Sequence, residues 1–391
     1  MPPHSAVRAY LAERLFRHAV RTLPVQVLLP GGERLAAGPA GSPIMRIERP
    51  AAFFHRLGVD AKIGFGEAYM AGDWTSPELA DLLTPFAARA ARLVPPWLHG
   101  MRRRVDRLHP ATDEPTLRGA RHNARRHYVS NDLFAAFLDE TMSYSAAWFD
   151  GQDLDLAAAQ RHKIDGMLDF AGVGNGTHLL EIGTGWGELA LRAGRRGATV
   201  TSLTISAEQK EFAERRIAQA GLSDRVRVLL RDYREAEGRF DAVVSVEMVE
   251  AVGARYWPTY FTAIDRLLRP GGRVGLQTIT MSHERMLATR DSYTWVHKYV
   301  FPGGIIPSVT AIEQALGDTS LRIDRRRDFG QDYGRTLRLW RERFAQRWPD
   351  IAGLGFDETF RRMWEFYLAY SEAGFRSGYL GVSQFRMVKG E

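Results

Sequence analysis

The chain has 391 residues, 45% of them apolar and 25% charged, and a formal charge of +7. That is the balance of a folded protein with two domains, or one large domain with insertions. It has no cysteine, which excludes disulfides, thiol nucleophiles and Cys-bound zinc or iron–sulfur centres, and no apolar run reaches the roughly 18 residues of a membrane span. Arg8, Glu13, Arg14 and Arg17 interrupt the N-terminal stretch, so it lacks a signal peptide's apolar core and a cytoplasmic location is expected. The basic excess points to an anionic partner, either nucleic acid or a membrane surface.

Residues 1–95 read as a small α+β domain, a candidate for lipid, membrane or dimer contact. Ala6–Thr22 has helical periodicity. Val25–Leu29 and Ile44–Ile47 read as strands around a Gly/Pro-rich turn, and Ala51–Leu57 as a short helix. Lys62–Trp74 mixes glycines with Phe65, Tyr69 and Trp74 and reads as a turn packed under a small core. Pro95-Pro96 marks a break before a basic linker helix, 96–126, with Arg102, Arg103, Arg104, Arg107, Arg118, Arg121, Arg125 and Arg126. Two readings of it stand side by side. One is a solvated face, the usual fate of a charge run. The other is a docking surface for phospholipid headgroups, where each basic residue adds about 1 kcal/mol. Trp97, Leu98, Met101, Val105 and Leu108 suit an interfacial helix, or equally one packed on the following domain.

His127–Phe134 and Leu138–Phe149 are dense in aromatics and small polar residues, with Ser130 or Asn131 placed to cap a helix running to Leu138. This is a helical cap over the core or a lid closing on a ligand. Thr177–Ile182 is a buried strand. It breaks into Gly183-Thr184-Gly185-Trp186-Gly187 and a helix beginning at Glu188. Alternate glycines let the backbone approach a ligand, and a helix N-terminus offers free N–H groups. The spacing departs from the dinucleotide fingerprint. Glu181-x-Gly183-x-Gly185-x-Gly187 resembles instead the first motif of S-adenosylmethionine (SAM) methyltransferases, whose acidic residue, here Glu181, orients the methionine amino group.

Strands then alternate with helices: Val200–Leu203, a helix capped by Ser206 with Gln209 in a capping box, Val226–Leu230 ending at Asp232, Phe240–Val246, a helix over Trp257–Leu268, a tight Pro270-Gly271-Gly272 turn, and Arg273–Thr278. This order predicts an α/β fold, a doubly wound Rossmann-like sheet with helical lid and pocket insertions. Ligands sit at the carboxyl ends of such strands. Glu181–Gly187, Thr204–Ser206, Asp232-Tyr233, Glu247–Glu250 and Gln277–Ile279 therefore surround one crevice. Beyond Met281, Tyr333, Trp340, Phe344, Trp364, Phe366, Tyr367, Tyr370 and Phe375 read mostly as core, or as the lining of a pocket for a large apolar substrate.

Several landmarks then agree in order: His127–Phe134, Thr141–Trp148, Leu179–Ala190, Leu203–Gln209, Phe240–Gly253, Lys298–Gly303, Asp332-Tyr333 with Thr336, Trp340 and Phe344, and Ser371–Arg376. Over roughly 120–385 the sequence resembles the cyclopropane fatty acid synthase family, and 127–391 is read as the catalytic domain. The resemblance implies one-carbon transfer from SAM to the cis double bond of an unsaturated phospholipid acyl chain, through a carbocation that then loses a proton to a base. It assigns SAM contacts to Tyr144, Ser145, Gly183, Gly185, Thr204, Gln209 and Asp232. Glu181, Gly187, Ser206 and Tyr233 join them from the motif and the crevice. The base it implies is bicarbonate, held by a Cys, a Glu, a His, an Ile backbone and a Tyr. Glu250, Ile279 and Tyr333 match, whereas the Cys position is Ala146 and the His position is Gln277. Those departures, with Leu276–Met281 and Val246–Gly253, resemble the actinobacterial branch that makes 10-methylene chains for a flavin-dependent reductase. The alternative product is the cyclopropane ring. A peripheral membrane location is expected from the basic stretch and the phospholipid substrate, a homodimer is implied by the family, and no nucleic acid or metal is expected. Methylation of RNA, suggested by the arginines, and a lipid binder without catalysis, suggested by Ala146 and Gln277, are the alternative classes.

Overall fold

The computed structural model describes residues 5–90 and 130–390. The basic stretch 96–126, Pro95-Pro96 and His127–Val129 lie outside the described residues. Contacts divide the described chain into two compact units that do not follow chain order. The first comprises residues 5–90, 291–302 and 337–379, and the second 130–290, 303–336 and 380–390.

In the first unit, β1 (Gln26–Leu28), β2 (Arg34–Ala37), β3 (Ile44–Ile47) and β4 (Trp74–Thr75) form a sheet of order β2-β1-β3-β4. Helices Ala6–Val20 and Pro50–Val59 lie where periodicity placed them. Lys62–Trp74 corrects the turn read there, because Ala61–Met70 is a helix, capped by the Asp60 side chain accepting from the Lys62 and Ile63 N–H groups. Its glycines serve close packing. A Cβ on Gly64 would lie 2.3 Å from the Arg56 carbonyl oxygen, and one on Gly66 2.6 Å from the Trp295 indole. Phe65 and Tyr69 of that helix pack with Trp74, Trp295 and Phe366 into an aromatic core, with ring centroids 4.7–6.3 Å apart.

The second unit is built on seven strands: β5 (His178–Ile182), β6 (Thr199–Thr204), β7 (Val226–Leu230), β8 (Phe240–Val246), β9 (Leu268–Thr280), β10 (Leu321–Asp328) and β11 (Gly381–Lys389). Their order is β10-β11-β9-β8-β5-β6-β7. The five from β9 to β7 are parallel, and β11 and β10 are antiparallel additions at one side. β5 and β8 are buried over most of their length because helices cover both faces. Tyr260, Phe261 and Ile264 of helix Trp257–Leu267 pack on one face, and Ile164, Met167 and Leu168 of helix Leu156–Phe170 on the other. The strand order reverses at β5, which puts a ligand crevice beyond its carboxyl end. This is the α/β doubly wound sheet expected from the sequence.

Two local readings change. Pro270-Gly271-Gly272 falls within the bounds of β9, where the pairing with β8 jumps from Phe240–Leu268 to Ala242–Arg273 and Gly271 takes a φ of +71°, so the expected tight turn is an excursion inside the strand. Ser206 caps helix Ala207–Gln219 by accepting from the Gln209 N–H, but the Gln209 side chain accepts from the Thr204 hydroxyl instead of closing a capping box.

Candidate active site

The glycine turn after β5 is backbone-built. Gly183, Gly185 and Gly187 have φ of +99°, +52° and +90°, a region that other residues enter at a penalty. A Cβ on Gly183 would meet Met248 Sδ at 2.7 Å, and one on Gly187 would meet Ala213 Cβ at 3.0 Å. Nothing lies within 4 Å of a Cβ built on Gly185, so the turn opens there onto free space that a ligand can fill. Beneath it Glu181 is buried, its carboxylate accepting from the Ser202 hydroxyl. Burial pushes its pKa up to about 8.

The other residues assigned to SAM are only partly free to serve it. Thr204 and Gln209 are bonded to each other at the end of β6. Ser206 is occupied as the helix cap and donates to Glu208. Both carboxylate oxygens of Asp232 accept from the Arg234 side chain at 2.8 Å. Tyr233 is buried edge-on to Tyr260, with a pKa raised to about 12 by burial. Tyr144 packs on Phe134, which packs on Trp186 of the glycine turn. Ser130 is the helix cap, whereas Asn131 accepts from the Trp186 indole at 2.7 Å, so the lid segment reaches the turn.

Ser145 leads to a group the sequence reading missed. Its hydroxyl accepts from Lys163 Nζ at 2.7 Å, and Lys163 is fully buried. Burial lowers the pKa of Lys163 to about 8, against the pull of Glu247, Asp139, Glu181 and Glu188. A lysine inside the apolar stripe Ala159, Ile164, Met167 was the available signal.

Glu250, Ile279, Gln277 and Tyr333 do converge, but around Glu247, which sequence reasoning placed in the crevice without a role. Glu247 follows β8 directly, with a left-handed φ of +53°. Its Oε1 accepts from the Ala146 N–H at 2.9 Å and from Gln277 Nε2 at 2.8 Å, and its Oε2 accepts from the Tyr333 hydroxyl at 2.9 Å. Gln277 is oriented from behind. Arg327 donates to Gln384 Oε1 at 3.1 Å, and Gln384 Nε2 donates to Gln277 Oε1 at 2.9 Å. An arginine only donates and an ionised carboxylate only accepts, so the two amides between them each have one consistent orientation. The register that pairs Gln384 with Gln277 across β11 and β9 makes this chain, and nothing local in the sequence announces it.

Glu250 stands in helix Val249–Val252. One oxygen accepts from the Ile279 N–H, and Oε2 is buried without a partner. Burial raises the pKa of both Glu247 and Glu250. Hydrogen bonds from the Ala146 N–H and Gln277, the Lys163 charge and the Tyr333 hydroxyl pull Glu247 back, whereas the Glu247 charge pushes Glu250 further up. Among the described residues no group of His, Asp or Glu side chains is placed to hold a metal, and no helix is long and apolar enough to cross a membrane.

The family model for mycolic acid cyclopropane synthetase matches residues 116–385. The chain belongs to the mycolic acid cyclopropane synthetase family. It is a SAM-dependent methyltransferase. It is 51% identical, over 99% of its own length and 93% of the relative's, to tuberculostearic acid methyltransferase UfaA1 of Mycobacterium tuberculosis. It is 35% identical to the cyclopropane-fatty-acyl-phospholipid synthase of Escherichia coli, over 85% and 84% of the two chains. Among solved structures, mycolic acid cyclopropane synthase CmaA1 complexed with SAH and CTAB aligns with a TM-score of 0.64 at 29% identity, covering 72% of this chain and 99% of that one.

Proposed function

We propose that the protein transfers a one-carbon unit from SAM to the cis double bond of an unsaturated fatty acyl chain on a membrane phospholipid, and that the product is a 10-methylene chain. The observation that carries this reading is the 51% identity, along nearly the whole of both chains, to a relative named for tuberculostearic acid.

The residues present fit SAM. The open glycine turn accepts a close backbone contact, and Glu181 lies buried beneath it. Thr204, Gln209 and Asp232 line the ends of the neighbouring strands, and Tyr144 and Ser145 come from the lid. Bound SAM supplies an electrophilic methyl, which the alkene π pair attacks to leave a carbocation on the adjacent carbon. The chain's own residues then manage that charge. The Tyr333 ring, aimed by its hydrogen bond to Glu247, offers an aromatic face to a cation. A buried site keeps water from capturing the cation. In this reading Glu250, supported by the Ile279 N–H, and Gln277 attend the departing proton.

Expression in a host with oleoyl lipids, followed by mass spectrometry and proton NMR of the fatty acid esters, tests this. Exomethylene protons are the expected signal. Unchanged lipids in the presence of folded protein overturn the reading. A ring is the second reading, favoured by the 35% identity to a cyclopropane synthase, and upfield ring protons decide for it. On either reading the enzyme works at an anionic membrane surface through the arginines of 96–126, as a homodimer; on the methylene reading it hands its product to a flavin-dependent reductase. Flotation with anionic vesicles that weakens with salt checks the membrane step.

A further inference from the structure

The family resemblance brings with it a bicarbonate ion as base, and an anion in a buried place needs donors. The donors at that place are engaged. Gln277 Nε2, the Tyr333 hydroxyl and the Ala146 N–H all donate to Glu247, and the Ile279 N–H donates to Glu250. Ala146 has no side-chain donor to add. Two carboxylates whose ionised forms are already disfavoured by desolvation would also face the incoming anion, and like charge disfavours it. Bicarbonate does not fit these residues.

We propose that this chain carries its own base, with Glu247 as the resident anion on those donors and Glu250 accepting the proton on Oε2; this rests on the one-carbon transfer proposed above. Glu250 Oε2 is a buried oxygen with no partner, a state that costs free energy unless the reaction supplies the missing proton. Its other oxygen is fixed by the Ile279 N–H, which leaves one lone-pair face open. Glu247 is fixed at both oxygens, and the chain of donors from Arg327 through Gln384 and Gln277 is built for its ionised form. The charge of Glu247 holds Glu250 at a higher proton affinity than a solvated carboxylate, which suits a base working near neutrality.

The step balances. The alkene π pair forms the new C–C bond as the S–C bond breaks, leaving a neutral thioether and a cation on the neighbouring carbon. For the methylene product, a hydride shifts from the methylated carbon to that cation. The new methyl then gives its proton to Glu250, and its C–H pair becomes the C=C. For a ring, no hydride moves, and the same C–H pair closes the third side. One base therefore serves either product.

The wild-type enzyme, assayed on unsaturated phospholipid vesicles, should turn over equally fast in CO2-free buffer and with added bicarbonate. ¹³C-bicarbonate NMR with the SAH-loaded protein should show no binding. Glu247→Gly frees three donors. It should be slower by at least about tenfold without CO2, recover in part with bicarbonate or formate, and broaden the ¹³C line. Glu247→Gln, which keeps the shape, should be slow and unrescued. A wild-type rate that collapses without CO2, or bicarbonate binding to the wild type, overturns the proposal. If the wild type modifies no lipid, the one-carbon transfer fails, while the NMR comparison of wild type and Glu247→Gly still decides who occupies the anion place.

Discussion

The aromatic core of the first unit and the strand-end cluster of the second are both buried, and they spend burial on opposite ends. Phe65, Tyr69, Trp74, Trp295 and Phe366 remove large apolar faces from water and meet edge-on or tilted, which favours folding directly. Lys163, Glu181, Glu247 and Glu250 remove charge from water, which opposes folding unless donors and counter-charges offset it. Glu247 is satisfied by three donors, whereas Glu250 keeps one oxygen unsatisfied. Reactivity is expected where the offset is incomplete.

The strongest way to break this contrast is Glu250→Gln. It should lower turnover by about a thousandfold while SAM affinity, read by calorimetry, stays nearly constant. Equal activity would remove Glu250 from the mechanism. Phe366→Ala should act in the opposite sense, losing about 3 kcal/mol of stability in chemical denaturation with turnover of the folded protein little changed. If it silences turnover in protein that remains folded, the division of labour is wrong. Gly183→Ala sits between the two. Its φ of +99° and the 2.7 Å approach to Met248 should together cost about 1–2 kcal/mol of stability and weaken SAM binding about tenfold.

The smallest effect sharpens the contrast most. The base must be deprotonated, so the rate should fall as pH drops through the Glu250 pKa, which lies above the ordinary carboxylate range. The groups facing the pair are Lys163 toward Glu247, the Tyr333 hydroxyl on Glu247, and Thr278 and Tyr260 toward Glu250. Glu247→Gln removes the like charge and should move the acid limb of the residual activity about one unit lower. A limb that stays in place would mean that Glu247 does not set the proton affinity of Glu250.

Much of the architecture was legible because its signals are local. The runs at β5 and β8 and the three alternate glycines specify strand, turn and helix within a dozen residues. Ser130 and Ser206 cap helices through contacts three residues on. The errors came where a glycine has a distant reason. Gly64 and Gly66 look like turn residues, yet the first makes room for a neighbouring helix and the second for an indole 229 residues away (295 − 66). At the site, Glu250, Ile279 and Tyr333 could be named through resemblance. Lys163, Gln384 and Arg327 could not, because burial and strand register assign them their tasks. Glu247 was within reach, since the strand-end argument that selected Glu250 applies equally three residues earlier.

The placement of β11 has a consequence for synthesis. It lies between β9 and β10, and the Gln384 that completes the chain of amides follows Gln277 by 107 residues. A ribosome takes roughly 5–20 s to add that length. Throughout that interval the nascent protein displays β9 as a raw sheet margin, a template for adhesion to other chains. Chaperone demand during translation should therefore concentrate on this window, and truncations that delete 381–389 should aggregate instead of yielding a smaller working enzyme.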